Sequence, residues 1–111
     1  MSNVKNIQII GDVPFNTVDY PEMNNLLGQL NSPVFGLKIQ YISETRREKN
    51  EHGGKIVFYG FTLTGREAVS IEWIKLFLRT VKSIGGKVFS AVVCDVENNF
   101  FLNDEFKVFL G

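Results

Sequence analysis

Residues 56–63, with the sequence IVFYGFTL, carry apolar side chains on both faces of an extended chain. A strand that is apolar on both faces is typical of the interior of a sheet. Upstream, residues 37–41 (LKIQY) alternate apolar and polar side chains, which indicates a strand with one face in water. A charged segment at 44–54 separates the two and ends in Gly-Gly. We therefore predict a β-hairpin with a charged loop and an inner second strand.

Helices are predicted on both sides of this hairpin. The segment Asp19–Glu22 combines an Asp cap, an early proline and an acidic residue, so a short helix is expected over 22–30. Thr64 and Glu67 have the spacing of a capping box. The second helix is expected to run from this box to about Ile84, because two glycines follow.

Three further strands complete the pattern. Apolar runs at 7–10 and 87–96 predict strands, and alternation over 102–110 predicts a last one after a turn at 97–99. The order is β-α-β-β-α-β with an additional C-terminal antiparallel strand. This is the ferredoxin-like, split-βαβ pattern of the α+β class, in which strands one and three are central. We expect a single domain over residues 1–111.

The charge balance argues against a general affinity for nucleic acid. The chain contains 12 Lys and Arg against 12 Asp and Glu, and hence no net charge. Nucleic-acid-binding domains usually carry a basic excess, since phosphate contacts supply much of their affinity. Residues 37–90 are nevertheless basic, with ten bases against five acids, and the two ends of the chain are acidic. A neutral chain also has little self-repulsion, which eases self-association.

No catalytic or metal-binding pattern is found in the sequence. Cys94 lies in an apolar run and is interpreted as a core residue. His52, the one histidine, lies in the charged loop without the spacing of a metal site. We expect a protein that is not an enzyme and needs no cofactor or metal. The N-terminal sequence has no signal-peptide pattern and no segment is long enough to span a membrane, so a cytoplasmic location is expected.

Excess apolar surface predicts a protein partner, a homodimer, or both. In the strand at 56–63, each face carries large apolar side chains, so the helix-free face of the sheet should be apolar. The second helix has an apolar arc wider than one sheet needs. We predict a small protein-binding regulator or inhibitor, of the immunity, antidote or anti-defence type. The contact residues expected on the sheet face, its edge at 37–43 and the loop are Tyr41, Arg46, Arg47, Phe58 and Tyr59.

A nucleic-acid-binding domain is the first alternative. Residues 7–15 resemble the first strand and turn of RNA-recognition motifs, and 54–61 resemble their third strand. The resemblance implies base stacking on exposed aromatic side chains. Phe58 alone could provide it, since Gln8 and Ile56 occupy the other two stacking positions. A basic helix stripe with i, i+4, i+7 spacing would add phosphate contacts through Lys75, Arg79 and Lys82.

A small-ligand-sensing domain is the second alternative. Residues 36–43 are similar to the second strand of ACT domains, and the Gly11-Asp12-Val13-Pro14 turn is similar to their ligand turn. This resemblance implies ligand binding near Gly11 and Asp12, although Phe15 stands where the family has glycine. Neither resemblance identifies the chain as a member of a family.

Overall fold

A long antiparallel hairpin dominates the fold. The computed structural model describes residues 3–16, 20–30, 36–96 and 101–111, with the side chain of residue 103 left aside. Strand β2 spans Leu37–Lys49 and β3 spans Lys55–Gly65, and their ladder reaches the pair Lys49 and Lys55. The loop predicted at 44–54 is therefore wrong over residues 44–49, which belong to β2; only residues 50–54 form the loop. Charged side chains suit this part of the hairpin, because β2 is exposed along most of its length.

Strand β1, Asn3–Pro14, is the centre of the sheet and is longer than the strand predicted at 7–10. It pairs with β3 on one side and with β5, Lys87–Asp95, on the other, and all pairings are antiparallel. The order β2-β3-β1-β5 is the predicted ferredoxin-like arrangement with its first and third strands inside. The two-residue strand β4, Val69–Ser70, pairs with the start of β1 and completes the five-stranded sheet.

Proline at the end of β1 is compatible with the ladder. The Phe15 N–H donates to the Val57 carbonyl at 2.7 Å, so the nitrogen of Pro14 faces away from β3. On that other side the pairing with β5 has already ended at Asp12. No ladder hydrogen bond is lost, because the missing N–H has no partner strand opposite it in the described residues.

Helices α1, Pro21–Gln29, and α2, Ile71–Ser83, cover one face of the sheet. The Phe77 ring of α2 meets Phe61 of β3 edge-to-face with centroids 5.6 Å apart. Trp73 stacks on Phe77 and donates its Nε1–H to Gln29 Oε1 at 2.7 Å, which joins the two helices. Part of the wide apolar arc predicted for α2 is thus used inside the domain.

The capping box predicted at Thr64 and Glu67 is wrong, because Thr64 belongs to β3. Cross-strand pairing with Leu37 and Ile7 keeps Gly65 in the sheet, and α2 begins only at Ile71. Ser70 is its N-cap residue and makes no side-chain capping hydrogen bond. Tertiary pairing has overridden a local helix signal.

The end of α2 is where the sequence predicts it, and the glycines there are required. Gly85 has a φ of +93°, and the Gly85 and Gly86 N–H groups donate to the carbonyls of Lys82 and Val81. These bonds form a Schellman motif. A Cβ at Gly86 would lie 2.3 Å from the Asp12 carbonyl oxygen, so the motif is packed directly against β1.

The C-terminal strand predicted at 102–110 is wrong. Residues Asn103–Phe106 form α3 and 107–109 form a 3-10 turn. Phe106 is buried and Phe109 packs on the core, whereas Val108 is 77% exposed. Leu102, Phe106 and Phe109 have helical spacing, which a short alternating sequence does not distinguish from a strand.

The C-terminal segment still contacts the outer edge of β5 at two points. The Leu102 N–H donates to the Val93 carbonyl at 2.7 Å, and the Gly111 N–H donates to the Val88 carbonyl at 3.0 Å. Lys75 pairs with Glu105 and Lys82 donates to the Gly111 main-chain oxygen, so α2 holds the same segment. The C-terminal segment consequently covers the outer edge of β5 near both ends of this strand.

Two glycine substitutions test the packing of the Schellman motif. Gly86→Ala is expected to lower the free energy of unfolding by about 2 kcal/mol, because the new methyl group collides with two backbone carbonyls. Gly28→Ala, within α1 and with no atom within 4 Å of the added methyl, should instead stabilise by about 0.5–1 kcal/mol. Urea unfolding measures both. Similar effects from the two variants would contradict the close approach at Gly86.

Candidate functional site

The carboxylate of Asp12 is fully buried and is held by donors from two other segments of the chain. Its Oδ2 accepts hydrogen bonds from Thr45 Oγ1 and Arg46 Nε, both at 2.9 Å. Its Oδ1 accepts from the Lys87 N–H at 2.9 Å and from Arg46 Nη2 at 3.2 Å. We call Asp12, Thr45, Arg46 and the Lys87 N–H the Asp12 clamp. It ties β1, β2 and β5 together.

Arg46 extends the clamp to α2 and to β3. Its Nη2 also donates to the Gly85 carbonyl at 2.7 Å, and its guanidinium carbon lies 3.7 Å from the centre of the Phe58 ring. A guanidinium at this distance over an aromatic face makes a favourable cation–π contact. Nη1 pairs with Glu48. Every nitrogen of this guanidinium is therefore engaged within the domain.

The clamp shifts the pKa of both charged partners. Burial raises the pKa of Asp12, but hydrogen bonds from Arg46, the Lys87 N–H and Thr45 outweigh it, and the pKa lies below its ordinary value of 3.8. The hydrogen bond to Asp12 raises the pKa of Arg46. Both groups are charged at neutral pH, and the pair is structural.

The predicted apolar open face is wrong. Phe58 is only 2% exposed and lies beneath Arg46, so neither residue is available as the predicted contact. On the same face, Thr62 and Thr64 follow Phe58 along β3, and Gln8 and Gln40 lie opposite them on β1 and β2. Beyond Phe58, the part of the helix-free face formed by β3 is thus polar where apolar side chains were expected, although Ile10 of β1 lies opposite Thr62 on this face.

Substitution of adjacent arginines separates the clamp from an ordinary surface ion pair. Arg46→Gln leaves a buried carboxylate without its counter-ion, so the free energy of unfolding should fall by about 3 kcal/mol. Arg47→Gln removes an exposed pair with Glu44 and should cost less than about 1 kcal/mol. Urea unfolding at neutral pH gives both values. Equal losses of unfolding free energy in the two variants would show that the Arg46–Asp12 pair stabilises the fold no more than an exposed ion pair does.

The pH dependence of stability follows from the lowered pKa of Asp12. A carboxylate with a depressed pKa stabilises the fold at pH values above its unfolded pKa and loses this contribution as the pH falls through the folded pKa. The difference in unfolding free energy between the wild type and Asp12→Asn should be constant between about pH 5 and pH 8 and shrink below about pH 4. A urea titration at each pH measures it. A difference that grows on acidification would contradict a lowered pKa.

An apolar groove lies on the surface next to the end of β1. It has a volume of about 470 Å³ and is lined by Val13, Pro14, Phe15, Tyr41, Ile42 and Tyr59. Phe15 and Ile42 are 67% and 65% exposed, and Tyr41 is 48% exposed. The Phe15 and Tyr59 rings meet edge-to-face with centroids 5.0 Å apart, which fixes one wall. The groove is thus built of large side chains that the core does not use.

Two residues predicted as contacts, Tyr41 and Tyr59, lie in this groove. Phe15 and Ile42 were not predicted. A signal for Ile42 existed: Tyr41 and Ile42 are consecutive apolar residues in a strand, so one of them must leave the core face unless the strand is irregular. Partial burial raises the pKa of the Tyr41 hydroxyl, which stays a neutral hydrogen-bonding group at physiological pH.

The groove borders the outer edge of β2. In the described ranges, no strand pairs with β2 on the side away from β3. The ladder with β3 shifts register between Tyr41 and Glu44 and again between Glu44 and Arg46. Such bulges re-aim side chains and bend the strand. Ile42 is one of the residues within this irregular stretch, and its side chain is turned to the groove.

The basic helix stripe is only partly free. Lys75 and Lys82 hold the C-terminal segment, as described above. Arg79 is exposed and makes no ion pair within the part of the chain that the structure describes. Arg47 is exposed and pairs with Glu44 at 3.0 Å. The structure does not bring these cations together with the groove residues.

Comparison of the chain with protein-family models, with curated proteins and with solved structures gives no match. Among the described residues, no helix has the length and apolar character needed to cross a membrane. The groove, the β2 edge and the polar sheet face are the surface features from which function can be inferred.

Proposed function

We propose that the protein is a small regulator that binds an extended segment of a partner protein at the β2 edge and the adjoining groove. The observation that supports this proposal is the position of four large exposed or half-exposed side chains directly beside a strand edge that is unpaired among the described residues. A single scattered apolar side chain on a surface is ordinary, whereas a groove of this kind marks a contact site.

The two features supply complementary contributions to binding. An added strand obtains affinity from main-chain hydrogen bonds to the edge and specificity from pockets for alternate side chains. Aromatic side chains dominate the energetics of many protein interfaces, since they bury a large area with few rotatable bonds. We therefore expect one or two apolar side chains of the partner to enter the groove between Phe15, Tyr41 and Ile42.

The charges near the site favour a protein segment over a polyanion. Arg46 is neutralised inside the Asp12 clamp, and Arg47 is paired with Glu44. Phe58, the aromatic residue that base stacking would require, is buried. A protein that binds its partner without catalysis can regulate it by covering part of the partner's surface. We therefore propose an inhibitor of the immunity, antidote or anti-defence type. A homodimer through the same edge is the competing occupant.

A library of displayed linear peptides tests this proposal even though the partner is unidentified. Selection on the wild-type chain should yield peptides with apolar residues at alternate positions. For a synthesised peptide from this selection, the double substitution Phe15→Ser and Ile42→Ser should raise the dissociation constant at least about tenfold, because it removes two of the exposed apolar walls. Fluorescence anisotropy measures the affinity.

Leu76→Ser is the matched control, since Leu76 is 46% exposed on α2 outside the groove. It should leave peptide affinity unchanged, and added salt should have little effect on binding. Loss of affinity in the control as large as in the groove variant would contradict the site. A stable wild-type dimer in light scattering that becomes monomeric with the groove variant would assign the groove to self-association instead.

A further inference from the structure

A second surface feature lies on the opposite, polar face of the hairpin. A depression of about 600 Å³ is formed where β1, β2 and β3 meet the segment after β3. We call it the Lys38–Arg66 depression. Its polar side chains come from Asn6, Gln8, Lys38, Thr64 and Arg66. None of the described residues that line it is acidic.

Sheet register places three of these side chains in one row. Lys38 on β2 is directly opposite Thr64 on β3, and Thr64 is directly opposite Gln8 on β1. Directly opposite residues have Cβ atoms about 5 Å apart, so these three polar side chains are neighbours on one face of the sheet. Arg66, immediately after β3, lines the same depression.

Both cations are available to a ligand. Lys38 and Arg66 are exposed, and neither makes an ion pair or a side-chain hydrogen bond among the described residues. Every other arginine of the hairpin is paired with a carboxylate. Glu67, the nearest acid in the sequence, packs its Cβ and Cγ against Gly36 and does not line the depression.

The backbone at the depression is irregular. Asn6 has a φ of +51°, and the pairing of β1 with β5 shifts register between Lys5 and Gln8. A left-handed non-glycine residue within a strand is uncommon, and bulges of this kind often re-aim a side chain next to a binding site. Here the bulge lies beside Gln8 and places Asn6 at the rim of the depression.

We propose that the Lys38–Arg66 depression binds the phosphate group of a small phosphorylated ligand. A guanidinium and an ammonium supply charge-assisted hydrogen bonds to phosphate oxygens, and hydroxyl and amide groups supply neutral ones. The next row of the sheet, Gln40, Thr62 and Ile10, carries no charge. An isolated pair of cations suits one phosphate group, whereas a nucleic-acid strand requires a longer track of positive charge. This proposal is independent of the peptide groove.

Titration with inorganic phosphate, followed by amide NMR at an ionic strength held constant with chloride, tests the proposal. Saturable shifts are expected for residues of the depression, among them Gly36, Gly65 and Arg66. The double substitution Lys38→Gln and Arg66→Gln should weaken phosphate binding at least about tenfold, because two charge-assisted contacts are lost. Both residues are exposed, so the variant should keep the wild-type melting temperature.

Arg79→Gln is the control for a general loss of positive charge and should leave phosphate affinity unchanged. Equal shifts with chloride alone, or equal phosphate affinity in the double variant, would overturn the proposal.

A nucleoside monophosphate should bind at least as tightly as inorganic phosphate. Much tighter binding of single-stranded poly(U) RNA, with a salt dependence that requires more than two phosphate contacts, would overturn the assignment to a small ligand. Peptide binding should be unaffected by Arg66→Gln alone, because Arg66 lies outside β2 and the groove, so failure of one proposal is distinguishable from failure of the other.

Discussion

The buried carboxylate of Asp12 is the constraint on which the arrangement of this domain depends. It lies on the central strand and receives donors from the adjacent strand β5 and from β2, which lies beyond β3. A buried charge is tolerated only when nearly all its acceptor positions are filled. The Arg46 side chain must therefore cross from β2 toward β1, and in doing so it covers Phe58 and reaches the loop that ends α2. One ionic contact thus fixes the hairpin, the sheet and the helix end relative to one another.

The position of the groove follows from the clamp. Because Thr45 and Arg46 are anchored, the preceding residues of β2 are held at a defined place even though they lie on an outer strand. Between this anchored part and the regular pairing near Leu37, the ladder of β2 with β3 shifts register twice, between Tyr41 and Arg46. The apolar residues at this irregularity are not packed into the core, and they form a wall of the groove. Residues of the clamp and residues of the groove are thus close together on one strand.

Sequence periodicity predicted the order of the four long strands and of α1 and α2, and the end of α2, because these depend on local signals. It failed where contacts between residues distant in the sequence determine the structure. Gly11 and Asp12 resemble a turn in the sequence, yet β1 continues through them since both neighbouring strands keep pairing there. The partnership of Asp12 with Arg46 spans 34 residues and has no local signature. Tyr41 and Tyr59 were predicted as contact residues, whereas Phe15 was missed because only the folded chain places it against Tyr59.

The C-terminal segment has a consequence for how many partners the sheet can accept. Because residues 101–111 contact β5 at both ends, the described part of the chain offers strand pairing along β2 alone. A sheet with two free margins can add molecules on both sides and grow into a filament. A sheet with one free margin can be extended on that side only. Two copies that paired through β2 would use both free margins and close as a dimer, and could not continue into a filament by this edge.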